Sequence, residues 1–180
     1  PGETLALAGP SGSGKSTIAR LILRLIEADS GQVEFEGSDF LSLNGAALRD
    51  RRVRLQMVFQ DPLAALNPRA TVARVLDDPL RIHHIASRAE RPRRIAALLE
   101  RVGLSPGLAT KPSLVVLDEA VSALDVSVRA QILRLLLDLQ RQERIAYLFI
   151  SHDLGVVRAI AHRVAILDAG RIAESGDART

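Results

Sequence analysis

The sequence predicts an α/β domain whose mostly parallel sheet is flanked by helices, and three observations carry that reading. A short apolar segment, Thr4 to Ala8, enters a glycine-rich loop, after which Ile18, Leu21, Ile22, Leu25 and Ile26 recur at helical spacing. Leu114 to Leu117 and Ile145 to Ile150 are unbroken apolar runs, as expected of strands buried on both faces of a parallel sheet. Strand-like and helix-like segments then alternate to the end of the chain, which is the pattern of an α/β fold.

Between these landmarks, Asp29-Ser30-Gly31 signals a turn, and Gln32 to Glu36 alternates with Val33 and Phe35 on one face. That segment reads as an exposed or edge strand. Leu48 to Arg52 is short and basic. Arg52 to Phe59 alternates again, which places Val53, Leu55, Met57 and Phe59 inward and delivers Gln60 to the strand end. A loop runs from Asp61-Pro62 through Asn67-Pro68. Thr71 to Leu80 and Arg91 to Val102 read as helices, the second with Ile95, Leu98, Leu99 and Val102 as its apolar stripe. Arg88, Arg91, Arg93 and Arg94 oppose the dipole at its start and are assigned to a partner or to solubility. Gly103 to Gly107 ends that helix. Val128, Ile132, Leu135, Leu136 and Leu139 mark another, and Leu154 to Ala161 the last. Val164 to Leu167 is a final strand, turning through Asp168-Ala169-Gly170 into Arg171-Ile172-Ala173.

Composition narrows the function classes. The 180 residues suit one domain, and the 47% hydrophobic content with 3% aromatic residues implies a core of Leu, Ile, Val and Ala. The formal charge is +3, and Lys15 and Lys111 are the only lysines, so the basic character is carried by arginine. Acidic residues nearly balance it, which favours a solvated arginine-rich surface over a dedicated nucleic-acid patch. No cysteine is present, which removes disulfides and thiolate metal sites and fits the cytosol. No apolar run is long enough to span a bilayer, and no signal-peptide pattern is seen, so a membrane role must come through a partner. The opening Pro1-Gly2-Glu3 leads straight into a strand, as in a domain entered partway through.

The loop is Gly9-Pro10-Ser11-Gly12-Ser13-Gly14-Lys15-Ser16-Thr17, and it fits the phosphate-loop pattern G-x-x-x-x-G-K-[ST]. Gly9, Gly12 and Gly14 let the backbone turn and bring amides to phosphate oxygens. Lys15 suits the β- and γ-phosphates, and the Ser16 hydroxyl suits Mg²⁺. The helix that follows presents its N-terminus to the anion. Phosphoryl transfer needs positioning and charge stabilisation, and strand ends are where open parallel sheets bind ligands. Asp118 is there as a Mg²⁺ partner, direct or through water. Glu119 is placed to orient or deprotonate the attacking water, or else caps a helix or an ion pair. Gln60 senses Mg²⁺ or water, or else serves a turn; His152 reaches the γ-phosphate, or else is structural. His83, His84 and His162 have no ligand constellation, and no zinc site is expected.

Taken together these motifs resemble an ABC-type ATPase, the nucleotide-binding subunit of ATP-driven transporters. The phosphate loop, a Q-loop at Met57-Val58-Phe59-Gln60-Asp61-Pro62, a Walker B strand from Leu114 to Glu119, a D-loop at Ser122-Ala123-Leu124-Asp125 and a switch histidine in Ile150-Ser151-His152-Asp153 follow in the family order. The resemblance implies a P-loop NTPase fold over residues 1–180, with a small, here incomplete, helical subdomain near 61–110 that meets membrane subunits. It implies ATP and Mg²⁺, with Ser16, Gln60 and Asp118 at the metal, Glu119 as general base, and His152 as γ-phosphate sensor. It also implies transmembrane permease subunits, a second ATP-binding subunit, a solute-binding protein at one remove, and a cytoplasmic place on the inner face of the membrane. Phe59 to Arg69, and Ala120-Val121 after Glu119, look like the oligopeptide, dipeptide and nickel importer subfamily.

Two departures from that pattern stand out. The L-S-G-G-Q signature expected between Val102 and Leu114 is absent, and Thr110 is followed directly by Lys111, so a missing segment is expected between 110 and 111. The opening strands and the adenine-stacking aromatic residue are also missing, since Tyr147 sits in a buried strand. Alternatives are a soluble ABC-type ATPase of DNA repair or translation, a nucleotide kinase, and a degenerate subunit that binds ATP without turnover.

Overall fold

The computed structural model describes residues 1–60, 72–102, 112–122 and 124–178. Its elements, in chain order, are β1 (Thr4–Ala8), α1 (Lys15–Ile22), β2 (Glu34–Phe35), β3 (Ser38–Asp39), α2 (Gly45–Arg52), β4 (Leu55–Val58), α3 (Val72–Ile82), α4 (Arg91–Val102), β5 (Leu114–Asp118), α5 (Val126–Glu143), β6 (Ala146–Ile150), α6 (Leu154–Ile160), β7 (Arg163–Asp168) and β8 (Arg171–Asp177).

The apolar runs form the centre of a six-stranded sheet in the order β4-β5-β6-β1-β7-β8. All neighbouring pairs are parallel except the β7–β8 hairpin. Both faces of the sheet are covered, so alternate residues of one strand enter different cores. Val116, Leu148, Ile150 and Leu7 pack with Ala19 and Leu23 on the α1 side. Val115, Leu117, Tyr147 and Phe149 pack with Leu136, Val156 and Ile160 on the α5–α6 side. Burying each of these larger side chains contributes roughly 1.5–3 kcal/mol relative to exposure.

Three expectations are corrected. Helix α1 stops at Ile22, because Leu23 and Arg24 leave it with Arg24 at φ 51°, so Leu25 and Ile26 are exposed rather than part of the stripe. Phe59 does not point inward: β4 ends at Val58 on the sheet edge, and Phe59 is 39% exposed beyond it. The basic stretch before β4 belongs to helix α2, which pushes the start of the strand to Leu55 and leaves Val53 outside it. The segment around Val33 and Phe35 contributes a short antiparallel pair, β2 with β3, separate from the main sheet. From α4, Arg91 Nε donates to Asp77 Oδ1 of α3 at 2.6 Å and Arg94 Nη1 to the Ile85 carbonyl at 3.3 Å. These two arginines thus brace α4 against what precedes it. The Asp61-Pro62 to Asn67-Pro68 loop and the Thr110–Lys111 junction lie outside the described residues.

Tyr147 is the one tyrosine of the chain. It is almost completely buried and its hydroxyl donates to the Leu136 carbonyl at 3.0 Å. Burial pushes its pKa up to about 12, whereas an unfolded chain titrates near 10. Between those values the unfolded state binds fewer protons, so stability falls as pH rises above about 10. Tyrosinate absorbance of the folded protein should therefore appear nearer pH 12 than pH 10; a phenol that titrates near 10 in the folded state would contradict this. Tyr147→Phe should cost about 1 kcal/mol, read as a fall in Tm of roughly 2–4 °C.

Candidate functional site

The register of the parallel strands builds the site. Leu7 pairs with Ile150, Ile150 with Asp118, and Leu117 with Val58. The residues that follow β1, β4, β5 and β6 therefore emerge along one edge of the sheet. Those are the glycine loop, Gln60, Asp118-Glu119 and Ser151-His152.

The loop wraps the N-terminus of α1. Gly14 precedes it at φ 101°, and the Ile18 amide bonds back to the Gly14 carbonyl at 2.9 Å. Gly9 is required by space: a Cβ there would lie 2.1 Å from the Leu167 carbonyl oxygen at the end of β7. The Gly170 amide, in the β7–β8 turn, donates to the Ser13 carbonyl at 3.1 Å. Lys15 is 6% exposed, and its Nζ donates to the carbonyls of Gly9 at 2.9 Å and Pro10 at 2.8 Å. The Ser13 hydroxyl is buried with no hydrogen-bond partner. A buried hydroxyl without a partner costs about 1–3 kcal/mol. That orphan donor, beside a buried ammonium and a helix N-terminus, fits a phosphate-bearing ligand.

Ser16 and Asp118 meet across the sheet: the Ser16 hydroxyl donates to Asp118 Oδ1 at 3.1 Å, and Asp118 is buried. A hydroxyl and a carboxylate are hard oxygen donors of the kind Mg²⁺ takes while keeping waters and substrate phosphates as its other ligands. Among the described residues no cluster of three or more His, Cys, Asp or Glu side chains forms a metal centre, and His83 and His84 join none. His162 Nδ1 accepts from the Thr4 amide at 3.1 Å, a structural bond.

Glu119 sits at φ 48° directly after β5, with its amide on the Ile150 carbonyl at 3.0 Å. Both of its carboxylate oxygens are engaged. Gln60 Nε2 donates to Oε2 at 3.2 Å, and His152 Nδ1 lies 3.0 Å from Oε1. Because an ionised carboxylate only accepts, this contact places the hydrogen on Nδ1. Gln60 has no hydrogen bond to Ser16 or Asp118 among the described residues; the structure brings it to Glu119 instead. Tyr147, already set aside as an adenine-stacking residue, is enclosed by the core.

Residues 1–122 match the family model described as ABC transporter. The chain belongs to the ABC transporter family. It is 48% identical over 201 residues to the glutathione import ATP-binding protein GsiA of Salmonella paratyphi A, covering 99% of this chain and 32% of that protein. It is 49% identical over 195 residues to the probable peptide ABC transporter ATP-binding protein y4tS of Sinorhizobium fredii, covering 96% of this chain and 55% of that one. The solved dimeric structure of a post-hydrolysis state of the ATP-binding cassette MJ0796, bound to ADP and Pi, superposes with a TM-score of 0.82 at 25% identity, over 99% of this chain and 87% of that one. This ABC transporter chain thus spans less than two thirds of either curated relative. The match to the Salmonella protein runs over 201 residues where this chain has 180, so at least 21 of the relative's positions have no counterpart here.

Sequence reasoning missed the residues that support the site. Leu167 and Gly170 shape the loop through contacts distant in sequence. Arg129 and Asp153 form an ion pair at 3.0 Å beside it; the only local signal was an arginine in the first turn of a helix, where a cation opposes the dipole. Gly9→Ala tests the packing of the loop. The added Cβ must displace the end of β7, so binding of a nucleoside triphosphate, measured by calorimetry, should weaken by roughly tenfold or more. An unchanged affinity would contradict the close approach to Leu167.

Proposed function

We propose that this chain is the ATP-binding and ATP-hydrolysing part of a subunit that energises an ABC importer, with peptides as cargo. One observation carries the reading: a single sheet edge holds the phosphate loop, the Ser16–Asp118 pair, and Glu119 between Gln60 and His152. The names of the two curated relatives, for glutathione and for peptide import, support the peptide side of the peptide-or-nickel pair.

In this reading Gly9 to Thr17 bind the phosphates. The loop amides and the α1 N-terminus donate to them, and Lys15 exchanges the Gly9 and Pro10 carbonyls for β- and γ-phosphate oxygens. Ser16 and Asp118 would hold Mg²⁺, with Gln60 as the further oxygen donor at the same sheet edge. Mg²⁺ supplies charge compensation on the phosphate oxygens as the γ-phosphoryl group transfers. Glu119 accepts a proton from water while the water oxygen bonds to the γ-phosphorus and the bridging bond to the β-phosphate breaks, giving ADP and phosphate. His152 keeps the Glu119 carboxylate aimed and contacts the γ-phosphate.

The remaining expectations belong to the same reading. Residues 61–110 form a partial helical subdomain, with α3 and α4 in it, that docks on permease subunits. A second ATP-binding subunit completes the site, and a solute-binding protein delivers cargo. The complex places the chain at the cytoplasmic face of the membrane; among the described residues no helix is long and apolar enough to cross it. In this reading the segment carrying the family signature falls between Thr110 and Lys111; the relative's 21 or more extra positions match a segment of that size without locating it. Glu119→Gln, made in the complete protein with its partner subunits, should keep nucleotide affinity and lower steady-state hydrolysis by roughly 100-fold or more. Turnover near the wild-type rate would overturn the assignment of the base. Uptake of a short peptide, but not of nickel, by the reconstituted complex is the expected result for cargo.

A further inference from the structure

Arg129, in the first turn of α5, has no role in the reading above. Its Nη1 donates to Asp153 Oδ2 at 3.0 Å, and its Nη2 donates to the Leu124 carbonyl at 3.1 Å. Its Nε is buried without a partner. A cation at a helix N-terminus is disfavoured by the dipole, and a buried unpaired N–H costs further. Local helix energetics therefore do not explain the residue. Its planar fork does, because two N–H groups fixed in one plane reach two acceptors on separate segments.

Those acceptors flank Glu119 on both sides. Leaving β5, the Glu119 carbonyl accepts from the Ser122 amide at 3.0 Å and from its hydroxyl at 2.8 Å. The Val121 carbonyl holds the Leu124 amide at 3.3 Å. Leaving β6, Asp153 follows His152 directly. Its other oxygen, Oδ1, caps α6 through the amides of Gly155 at 2.9 Å and Val156 at 3.2 Å, and its own amide donates to the Ser151 hydroxyl at 3.1 Å. A closed ring results, running from Glu119 through Leu124, Arg129, Asp153 and His152 back to the Glu119 carboxylate.

We infer that Arg129 is a positioning residue: it clamps the segment leaving β5 to the segment leaving β6, and so fixes the His152 ring against Glu119. Its effect on turnover rests on the reading of Glu119 as the base. Its effect on the ring of His152 does not. Asp153→Asn keeps an oxygen to cap α6 and removes the acceptor for Nη1, while Arg129→Lys keeps the charge and loses the fork.

The test uses the full-length subunit, alone for nuclear magnetic resonance of the His152 imidazole and with its partner subunits for kinetics. In the wild type the ring should show a fixed Nδ1–H tautomer. In Arg129→Lys, Arg129→Ala and Asp153→Asn it should become averaged. Steady-state kcat should fall on the order of tenfold in each, while KM for MgATP stays within about twofold. The double variant Arg129→Lys/Asp153→Asn should be no slower than either single one, since both break the same ring. A fixed tautomer in Arg129→Lys, or effects that multiply in the double variant, would overturn the inference. Absence of hydrolysis in the wild-type complex would instead sink the ATPase reading, and the tautomer would then decide the role of Arg129.

Discussion

The in-step parallel pairing of β4, β5, β6 and β1 is the constraint on which the site depends. Because Asp118, Ile150 and Leu7 stand across from one another, groups distant in sequence leave the sheet at the same level. A slip of one residue in β5 would turn Val116 toward the α5 side and Val115 toward the α1 side, reversing which core each enters. Register is thus enforced by two cores at once. The same packing that excludes water from the sheet holds Lys15, Ser16, Asp118 and Glu119 within reach of one another.

The edge that carries the loop is braced from the opposite direction as well. The end of β7 presses on Gly9 and the β7–β8 turn bonds to Ser13, so the loop is clasped between its own helix and a hairpin. Farther out, a single carboxylate organises the approach to β4 and β5: Glu36 receives Arg51 at 2.6 Å, Arg54 at 2.9 Å and the Ser113 hydroxyl at 2.8 Å. That places the turn between β2 and β3 against the starts of two strands whose ends carry Gln60 and Glu119. At the other side of the site Asp125 caps α5, and the Val128 amide followed by the Ser127 hydroxyl holds its carboxyl below the usual carboxylate range.

What the sequence disclosed and what it concealed follow from the range of the interactions involved. The strand–loop–helix around Lys15 and the apolar strands before Asp118 and His152 were legible because their signals are contiguous. The convergence of those side chains follows from parallel order, which alternation of strands and helices already implies. Leu25 and Ile26 were misread because periodicity continues past a helix end that Arg24 sets by entering the left-handed region. Phe59 was misread because alternation does not reveal that β4 is an edge strand ending one residue earlier. The clasp on Gly9 and the Arg129 bridge were invisible because each joins residues that only the fold brings together.

Lys15 gives the loop an uncommon economy of charge. With its ammonium on two carbonyls of its own turn, the ring of backbone is held shut by the cation that a phosphate would claim. Attraction for the anion is therefore a difference between two sets of bonds rather than a sum of new ones. Arrival of phosphate loosens an internal latch, and departure lets it snap back, so each half of the exchange supplies part of what the other requires. Such a device tempers the hold on the anion, since part of each new bond goes to replacing an old one.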